Sequence, residues 1–306
     1  MNAPHGNTAQ PIGPRPSVWP GFPPAAMVAL MIGLLAACTL LVIALRNHRR
    51  ASMYLAFALA AVLLVFNAVY FAINRVRRGW YPVEFSHISY FVMAVSVVLG
   101  SKKLLSLAGY CSMLTGLGYI LAGVVSPVSL LTTSFSAGEL AISVVRHQAM
   151  WLCGLLIFLN VGKFRMRDVW ITLTGIALMI GFSMLVYYGL VYPDFDEGER
   201  ETMQIVAIVQ GNILQYVTHR PLPLIARIAT SAGIGLAVVG TVVLYHVVNV
   251  RINAARRKKH ARIGVKDEDY QIGLLPFLVK VLKYKGIIKR SRKSAKRGEY
   301  YNCGVL

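Results

Sequence analysis

"MYLAFALAAVLLVFNAVYFAI", residues 53–73, is an apolar run without a single charged side chain, and it decides the fold class. As a helix this run is about 30 Å long, which matches the hydrocarbon core of a bilayer. The composition of the whole chain agrees, since 56% of its 306 residues are hydrophobic and 14% are charged. Soluble domains have about a quarter of their residues charged. The sequence therefore predicts an all-α, polytopic transmembrane helical bundle.

About seven membrane spans are predicted in one helical domain that covers residues 25–250. The spans are 25–45, 53–73, 82–100, 104–125, 138–161, 169–191 and 225–250. Residues 1–24, rich in Pro and Gly and nearly uncharged, are expected to be a disordered leader. Residues 203–217 are apolar but short, which favours a re-entrant or interfacial segment over a span.

The positive charge is concentrated in the tail, residues 251–306, which holds 16 of the 32 Lys and Arg residues of a chain with net charge +20. A basic tail beside a membrane indicates cytoplasmic placement and contact with anionic lipid headgroups. An amphipathic helix is expected near 270–290, lying on the inner leaflet. No folded element for reading nucleic acid is recognisable, so the predicted partners are membrane lipids.

The loop charges predict the orientation: a multipass cell-membrane protein with its N-terminus outside and its C-terminus in the cytoplasm. One outer loop disagrees, because Arg75, Arg77 and Arg78 fall on the outer side. These arginines either bind lipid phosphates there or are an exception to a statistical rule. The four cysteines have no paired spacing, so neither a disulfide framework nor a zinc site is indicated, and no cofactor is expected.

Polar residues open the third span and lie within the fifth. In "WYPVEFSHISYF", residues 80–91, Glu84 and His87 share one helix face at i,i+3. In the fifth span Ser143 and His147 form an i,i+4 pair, and Arg146 is expected to reach Glu139 at i,i+7. Both histidines fall at similar depths in the outer half of the bilayer. Ionisable groups inside a span generally face a cavity or the bundle interior and are often functional.

This cluster is compatible with three roles. A histidine can act as general base toward a hydroxyl, with a carboxylate that orients the imidazole. Ser86 is badly placed for its neighbour His87, so His147 from the other helix is the better base for it. The same groups are equally suited to a proton relay, or to a polar lock that fixes helix registry without turnover.

Residues 82–86, "PVEFS", together with His147 and the Gly-Asn pair ending at Asn212, resemble the YwaF-like integral membrane proteins of bacteria. That family is distantly related to eukaryotic transmembrane acyltransferases that act on phospholipid acyl chains. Its third-span motif reads Pro-Leu-His-Leu-Cys, so the resemblance implies that Ser86 replaces its cysteine and Glu84 its histidine. A serine depends on a base more than a cysteine does.

The leading functional hypothesis is lipid acyl transfer or ester hydrolysis, with Ser86 as nucleophile, His147 as base, and Glu84 and His87 in support. The candidate lipid- or substrate-binding residues are Arg75, Arg77, Arg78, Glu139, Arg146 and Asn212. The alternatives are a small-solute or proton-coupled transporter or sensor that uses the same cluster, and a non-catalytic membrane scaffold.

Overall fold

The computed structural model describes residues 17, 21–78, 82, 84–133, 136–191, 208–211 and 222–262. Their regular secondary structure is helical, which confirms the predicted all-α class. The helices are α1 (Pro24–Ala44), α2 (Arg49–Arg78), α3 (Phe85–Leu99), α4 (Leu105–Val125), α5 (Pro127–Thr133), α6 (Ala137–Leu155), α7 (Asp168–Val186) and α8 (Leu224–Arg262). A 3-10 turn at Leu45–Asn47 follows α1, and π-helical turns extend α6 over Leu156–Val161 and α7 over Tyr187–Val191.

Within the described part of the chain, six helices are long and apolar enough to cross a membrane. They are Pro24–Asn47, Arg49–Asn74, Leu105–Val125, Ala137–Val161, Asp168–Gly189 and Leu224–Lys258. Helix α3 is also apolar, but its 15 residues span about 22 Å. These seven helices coincide with the seven predicted spans. Large hydrophobic side chains cover their outer surface, for example Leu185 at 72% and Leu236 at 74% exposed, as expected for a surface in contact with lipid. The chain is a multipass membrane protein.

The third and last spans differ in length from their predictions. Helix α3 begins at Phe85, because Glu84 occupies the N-cap with an extended backbone, and it ends where Gly100 adopts a left-handed conformation at φ 67°. Helix α8 continues to Arg262 instead of ending near residue 250. The amphipathic helix predicted near 270–290 lies outside the described residues, as do most of the leader and most of 203–217.

Helix α4 lies at the centre of the bundle and approaches α6 closely. A Cβ on Gly116 would lie 2.6 Å from the backbone nitrogen of Trp151 on α6, and a Cβ on Gly154 would lie 2.8 Å from that of Met113 on α4. Only glycine leaves room for such an approach, and small residues are the usual basis of tight helix packing in lipid. The α4–α6 pair is therefore the rigid centre against which the other helices are placed.

Buried asparagines join the helices at the end opposite to the start of α6. The Nδ2 of Asn160 donates to the Val42 carbonyl at 3.0 Å and to the Ser52 hydroxyl at 3.1 Å. Similarly, the Nδ2 of Asn249 on α8 donates to the Phe158 carbonyl at 2.6 Å. The π-helical geometry shifts this carbonyl out of the regular α-helical pattern, so a side chain can satisfy it. These bonds hold α1, α2 and α8 against the end of α6.

The two ends of the bundle differ in chemistry. One end, here called the cluster end, contains the last turns of α2 and α4 and the first turns of α3 and α6. The other, called the basic end, contains the segments 45–50, 100–105 and 161–168 and the last turns of α8. The prediction that the basic end faces the cytoplasm rests on the positive-inside rule and stays a prediction.

Candidate functional site

A group of buried and half-buried polar and aromatic side chains lies at the cluster end, where α2, α3, α4 and α6 meet. It contains two histidines and one arginine surrounded by aromatic rings and amides. The members are Asn67, Tyr70, Phe71, His87, Tyr90, Tyr119, Ser143, Arg146 and His147. The predicted meeting of the third and fifth spans is observed in the contact between Tyr90 on α3 and His147 on α6.

His147 is 7% exposed, and both of its ring nitrogens are occupied. The Nδ1 atom lies 2.7 Å from the Ser143 carbonyl oxygen, which only accepts, so Nδ1 carries a proton. The Nε2 atom lies 3.0 Å from the Tyr90 hydroxyl. The Tyr119 ring stacks on the imidazole, with centroids 3.8 Å apart and planes 10° apart. His147 is therefore held in one orientation by three neighbours.

Arg146 is the charge in this group, and it is 8% exposed. It lies nine positions after the first residue of α6, about 14 Å along the helix. Its Nη1 donates to the Asn67 side-chain oxygen at 3.2 Å. Its Cζ lies 4.5 Å from the centre of the Tyr70 ring and 5.2 Å from that of Tyr90, so aromatic faces surround the guanidinium.

The hydrogen bonding of Arg146 is incomplete. Its Nε is buried without a hydrogen-bond partner. Among the described residues no carboxylate lies within ion-pair distance of the Arg146 guanidinium. The ion pair seen among these residues joins Arg167 to Asp168, at the start of α7. The predicted pair of Arg146 with Glu139 is wrong, because the guanidinium turns toward Asn67 on α2 instead. A permanent positive charge thus lies inside the bundle without a matching negative charge in the described structure.

Tyr90 connects the ionisable residues of the site. Its hydroxyl contacts His147, its ring lies under the Arg146 guanidinium, and its centroid is 6.4 Å from that of His87. The His87 imidazole packs edge-on against Phe71, with centroids 4.9 Å apart, and its Nδ1 is buried without a hydrogen-bond partner. His87 and Arg146 therefore each have a nitrogen available to a further group.

The Ser86 hydroxyl does not form a hydrogen bond with the His147 imidazole. The described contacts of His147 are with Ser143, Tyr90 and Tyr119, and the Ser86 hydroxyl makes no hydrogen bond to the imidazole. Both imidazole nitrogens already have partners, so the predicted serine–base contact is not formed in this conformation. The catalytic roles assigned to Ser86 and His147 stay predictions.

The other predicted site residues are dispersed. Glu84 forms the N-cap position of α3, and Glu139 lies in the first turn of α6, where its backbone N–H is capped by the Ser136 hydroxyl at 3.2 Å. The side chains of Arg75, Arg77 and Arg78, on the last turn of α2, lie outside the described part of the structure, as does Asn212. Nothing here tests their predicted contact with lipid or substrate.

The sequence analysis missed three residues that build the site: Asn67, Tyr70 and Tyr90. None of the three carries the carboxylate, imidazole or serine hydroxyl on which the site prediction was based. A signal was present, since Asn67, Tyr70 and Asn74 follow one another at helical spacing on the inner face of an otherwise apolar span. Tyr90 also lies three positions after His87, on the same face of α3.

The chain was compared with protein-family models, with curated proteins and with solved structures, and none of them matches it. The resemblance to YwaF-like proteins therefore stays a prediction. The described residues contain no group of three or more His, Cys, Asp or Glu side chains able to hold a metal ion.

Proposed function

We propose that this membrane protein binds a small organic anion at Arg146, inside the cluster end, and acts as a transporter or sensor for it. The observation that carries the proposal is a buried guanidinium with an unpartnered Nε and no carboxylate partner among the described residues. Guanidinium groups bind carboxylates and phosphates through paired N–H donors. An anionic ligand would supply the missing charge and accept the free hydrogen bond.

The surrounding residues suit an anion of this kind. Tyr90 and His147 form a connected hydrogen-bonded pair beside the guanidinium, and His87 adds a second imidazole with an unpartnered nitrogen. The centres of the aromatic rings of Phe66 and Tyr70 lie 5.9 and 4.5 Å from the guanidinium carbon. Arg146, Tyr90 and His147 are buried, so a ligand reaches the guanidinium only if the helices around it separate. A site that closes around its ligand between packed helices meets a requirement of alternating access.

Lipid acyl transfer is supported less well by this geometry. It needs a nucleophile in hydrogen-bond reach of a base, and the His147 nitrogens are already engaged with Tyr90 and Ser143. At this site the imidazole with an unpartnered nitrogen is that of His87, and its neighbour Ser86 points in another direction around α3. The acyltransferase hypothesis therefore requires a rearrangement of the α3–α6 contact that frees an imidazole nitrogen, whereas the Arg146 Nε already lacks a partner.

The test is a thermal-unfolding screen of the purified full chain in detergent. The probes are acetate, succinate, citrate, inorganic phosphate and glycerol 3-phosphate, each over a range of concentrations. A bound anion raises Tm, by about 2.7 kcal/mol of added stability at a hundred times its Kd. The shift is expected in the wild type and in Arg251→Met, an exposed arginine on α8, and is expected to be lost in Arg146→Met.

Two further measurements decide between the functions. Uptake of the stabilising anion into proteoliposomes identifies a transporter, and binding without uptake identifies a sensor. Lipid mass spectrometry of cells that express wild type, Ser86→Ala or His147→Ala tests acyl transfer. The proposal is refuted if no anion shift depends on Arg146 while lipid turnover is present in the wild type and absent from both variants.

A further inference from the structure

A cavity of about 420 Å³ lies at the basic end, far from the site described above. It is formed by the start of α2, the end of α3, the segment joining α6 to α7, and the last turns of α8. Seven Lys or Arg side chains line it: Arg49, Lys102, Lys103, Arg257 and the three cations of residues 163–167. Asp168 is the one carboxylate among the described residues of the lining.

Both carboxylate oxygens of Asp168 lie close to groups at the start of α7. Its Oδ2 accepts from the Arg165 backbone N–H at 2.8 Å, and its Oδ1 lies 4.0 Å from the Arg167 Nε. The carboxylate is therefore engaged at the start of α7, where it also occupies the first turn of that helix. The cations on α2, on the α3–α4 connection and on α8 come from separate parts of the chain and meet around one space.

The positive-inside rule does not require the Lys and Arg side chains to converge on one cavity. That rule accounts for positive loops but not for side chains from four segments that line one space. The same end carries exposed cations outside the cavity lining, among them Arg46, Arg251 and Lys258. These three provide a natural comparison, because they share the end of the bundle and the charge but not the cavity.

The inner wall of the cavity is apolar. Met53 and Phe57 on α2, Val97 on α3 and Ile157 at the end of α6 line it below the cations. A basic rim above an apolar wall matches a molecule with phosphate groups at one end and hydrocarbon at the other. We propose that this cavity binds the phosphate-bearing headgroup of an anionic phospholipid from the adjoining leaflet, with the beginning of its acyl chains on the apolar wall.

The site is independent of the proposed function, since it lies at the other end of the bundle and shares no residue with the Arg146 group. It also differs from the contact expected of the tail beyond residue 262, because every residue used here belongs to the folded bundle. Lipid binding at this cavity would attach α2, α3 and α8 to one headgroup and stabilise their arrangement.

The experiment is a native mass-spectrometry titration of the full chain in detergent. The probe is dioctanoyl phosphatidylinositol 4-phosphate, with dioctanoyl phosphatidylcholine as the neutral lipid and inositol 1,4-bisphosphate as the headgroup without acyl chains. The cavity variant is Lys103→Gln/Arg165→Gln/Arg257→Gln, which changes three exposed rim cations from three segments. The matched variant is Arg46→Gln/Arg251→Gln/Lys258→Gln, which removes the same charge outside the cavity.

The wild type and the matched variant are expected to bind the anionic lipid with similar affinity, and the cavity variant to bind it at least about tenfold more weakly. The neutral lipid and the free headgroup are expected to bind far more weakly than the anionic lipid. Equal weakening in both triple variants would overturn the proposal, since it would indicate general surface attraction. Equal affinity for lipid and free headgroup would overturn the choice of a lipid and indicate a soluble phosphate ligand. The single variant Arg257→Gln repeats the comparison, against Lys258→Gln, if a triple variant does not fold.

Discussion

The Tyr90 hydroxyl lies 3.0 Å from Nε2 of His147, in the position that a serine nucleophile would need to occupy. The other imidazole nitrogen is bound to the Ser143 carbonyl, and the ring is stacked on Tyr119. His147 is thus a group held in place by α3, α4 and its own helix. Tyr90, which also lies under the Arg146 guanidinium, is the residue that couples the imidazole to the buried charge.

Tyr90→Phe is expected to lower the free energy of unfolding by about 1–3 kcal/mol, because it leaves the buried Nε2 of His147 without a partner. Ser86→Ala is expected to change it by at most about 0.5 kcal/mol, since Ser86 is half-buried and its hydroxyl has no described hydrogen bond. Unfolding of the purified proteins in detergent measures both values. An equal loss in Ser86→Ala would show that its hydroxyl does make a contact on which the site depends.

The Asn67–Arg146 contact belongs either to a binding site or to a structural lock that fixes helix registry. Removing both partners distinguishes these two roles. Burying a charge without a counter-charge is unfavourable, and replacement of buried polar groups by apolar ones is often neutral or stabilising. The double variant Asn67→Leu/Arg146→Met is therefore expected to have a Tm equal to or above that of the wild type in the absence of anions. Arg146→Lys, which keeps the charge on a more strongly hydrated group, is expected to be less stable than the double variant. A fall of several degrees in the double variant would instead indicate that the contact fixes helix registry.

Two glycines on α4 test the close packing at the centre of the bundle. Gly116→Ala would place a Cβ 2.6 Å from the Trp151 backbone, and backbone atoms cannot move aside cheaply. We expect a loss of about 1–3 kcal/mol through overpacking. Gly118→Ala, on the same helix, meets nothing within 4 Å and should leave stability equal or slightly higher. Thermal unfolding of both proteins gives the comparison, and equal stability would mean that α4 and α6 are not in such close contact.

The spans could be predicted because the bilayer imposes a length and an apolar composition on every helix that crosses it. Their ends were less accurate. Helix α3 starts only after Glu84, whose backbone is extended, and α8 continues through a basic segment to Arg262. Neither helix end can be predicted from the apolar periodicity of the sequence.

The site could be predicted in part. Ser143 and His147 do contact one another as their i,i+4 spacing indicates, and α3 and α6 do supply the two histidines. The partner of Arg146 was wrong, because spacing along one helix says nothing about which neighbouring helix offers a better acceptor. That acceptor, Asn67, lies 79 residues earlier in the chain, and only the packing of α2 against α6 brings it into contact.

Asn160 is expected to be sensitive to substitution at the basic end. It is 3% exposed, donates to Val42 and Ser52, and accepts from the Arg256 guanidinium at 3.2 Å. Asn160→Ala should lower the free energy of unfolding by about 1–3 kcal/mol, because buried polar groups on α1 and α2 lose their partner. Asn47→Ala, at an exposed position of the same end, should change it by at most about 0.5 kcal/mol. Similar values for the two variants would show that the network does not join the helices in the membrane.

The orientation of the bundle decides which leaflet meets the cavity of the basic end. The segments 45–50, 100–105 and 161–168 all carry positive charge, so the positive-inside rule places that end, and the C-terminus beyond α8, in the cytoplasm. Expressed in a bacterial host, a green fluorescent protein fused after Leu306 should fluoresce, and an alkaline phosphatase fused there should be inactive. The same reporters fused within the connection between α7 and α8, at residue 196, should give the opposite pattern. An active phosphatase at the C-terminus would invert the orientation and place the Arg146 site on the cytoplasmic side. The three arginines at the end of α2 would then conform to the rule, and the lipid held by the basic cavity would come from the outer leaflet.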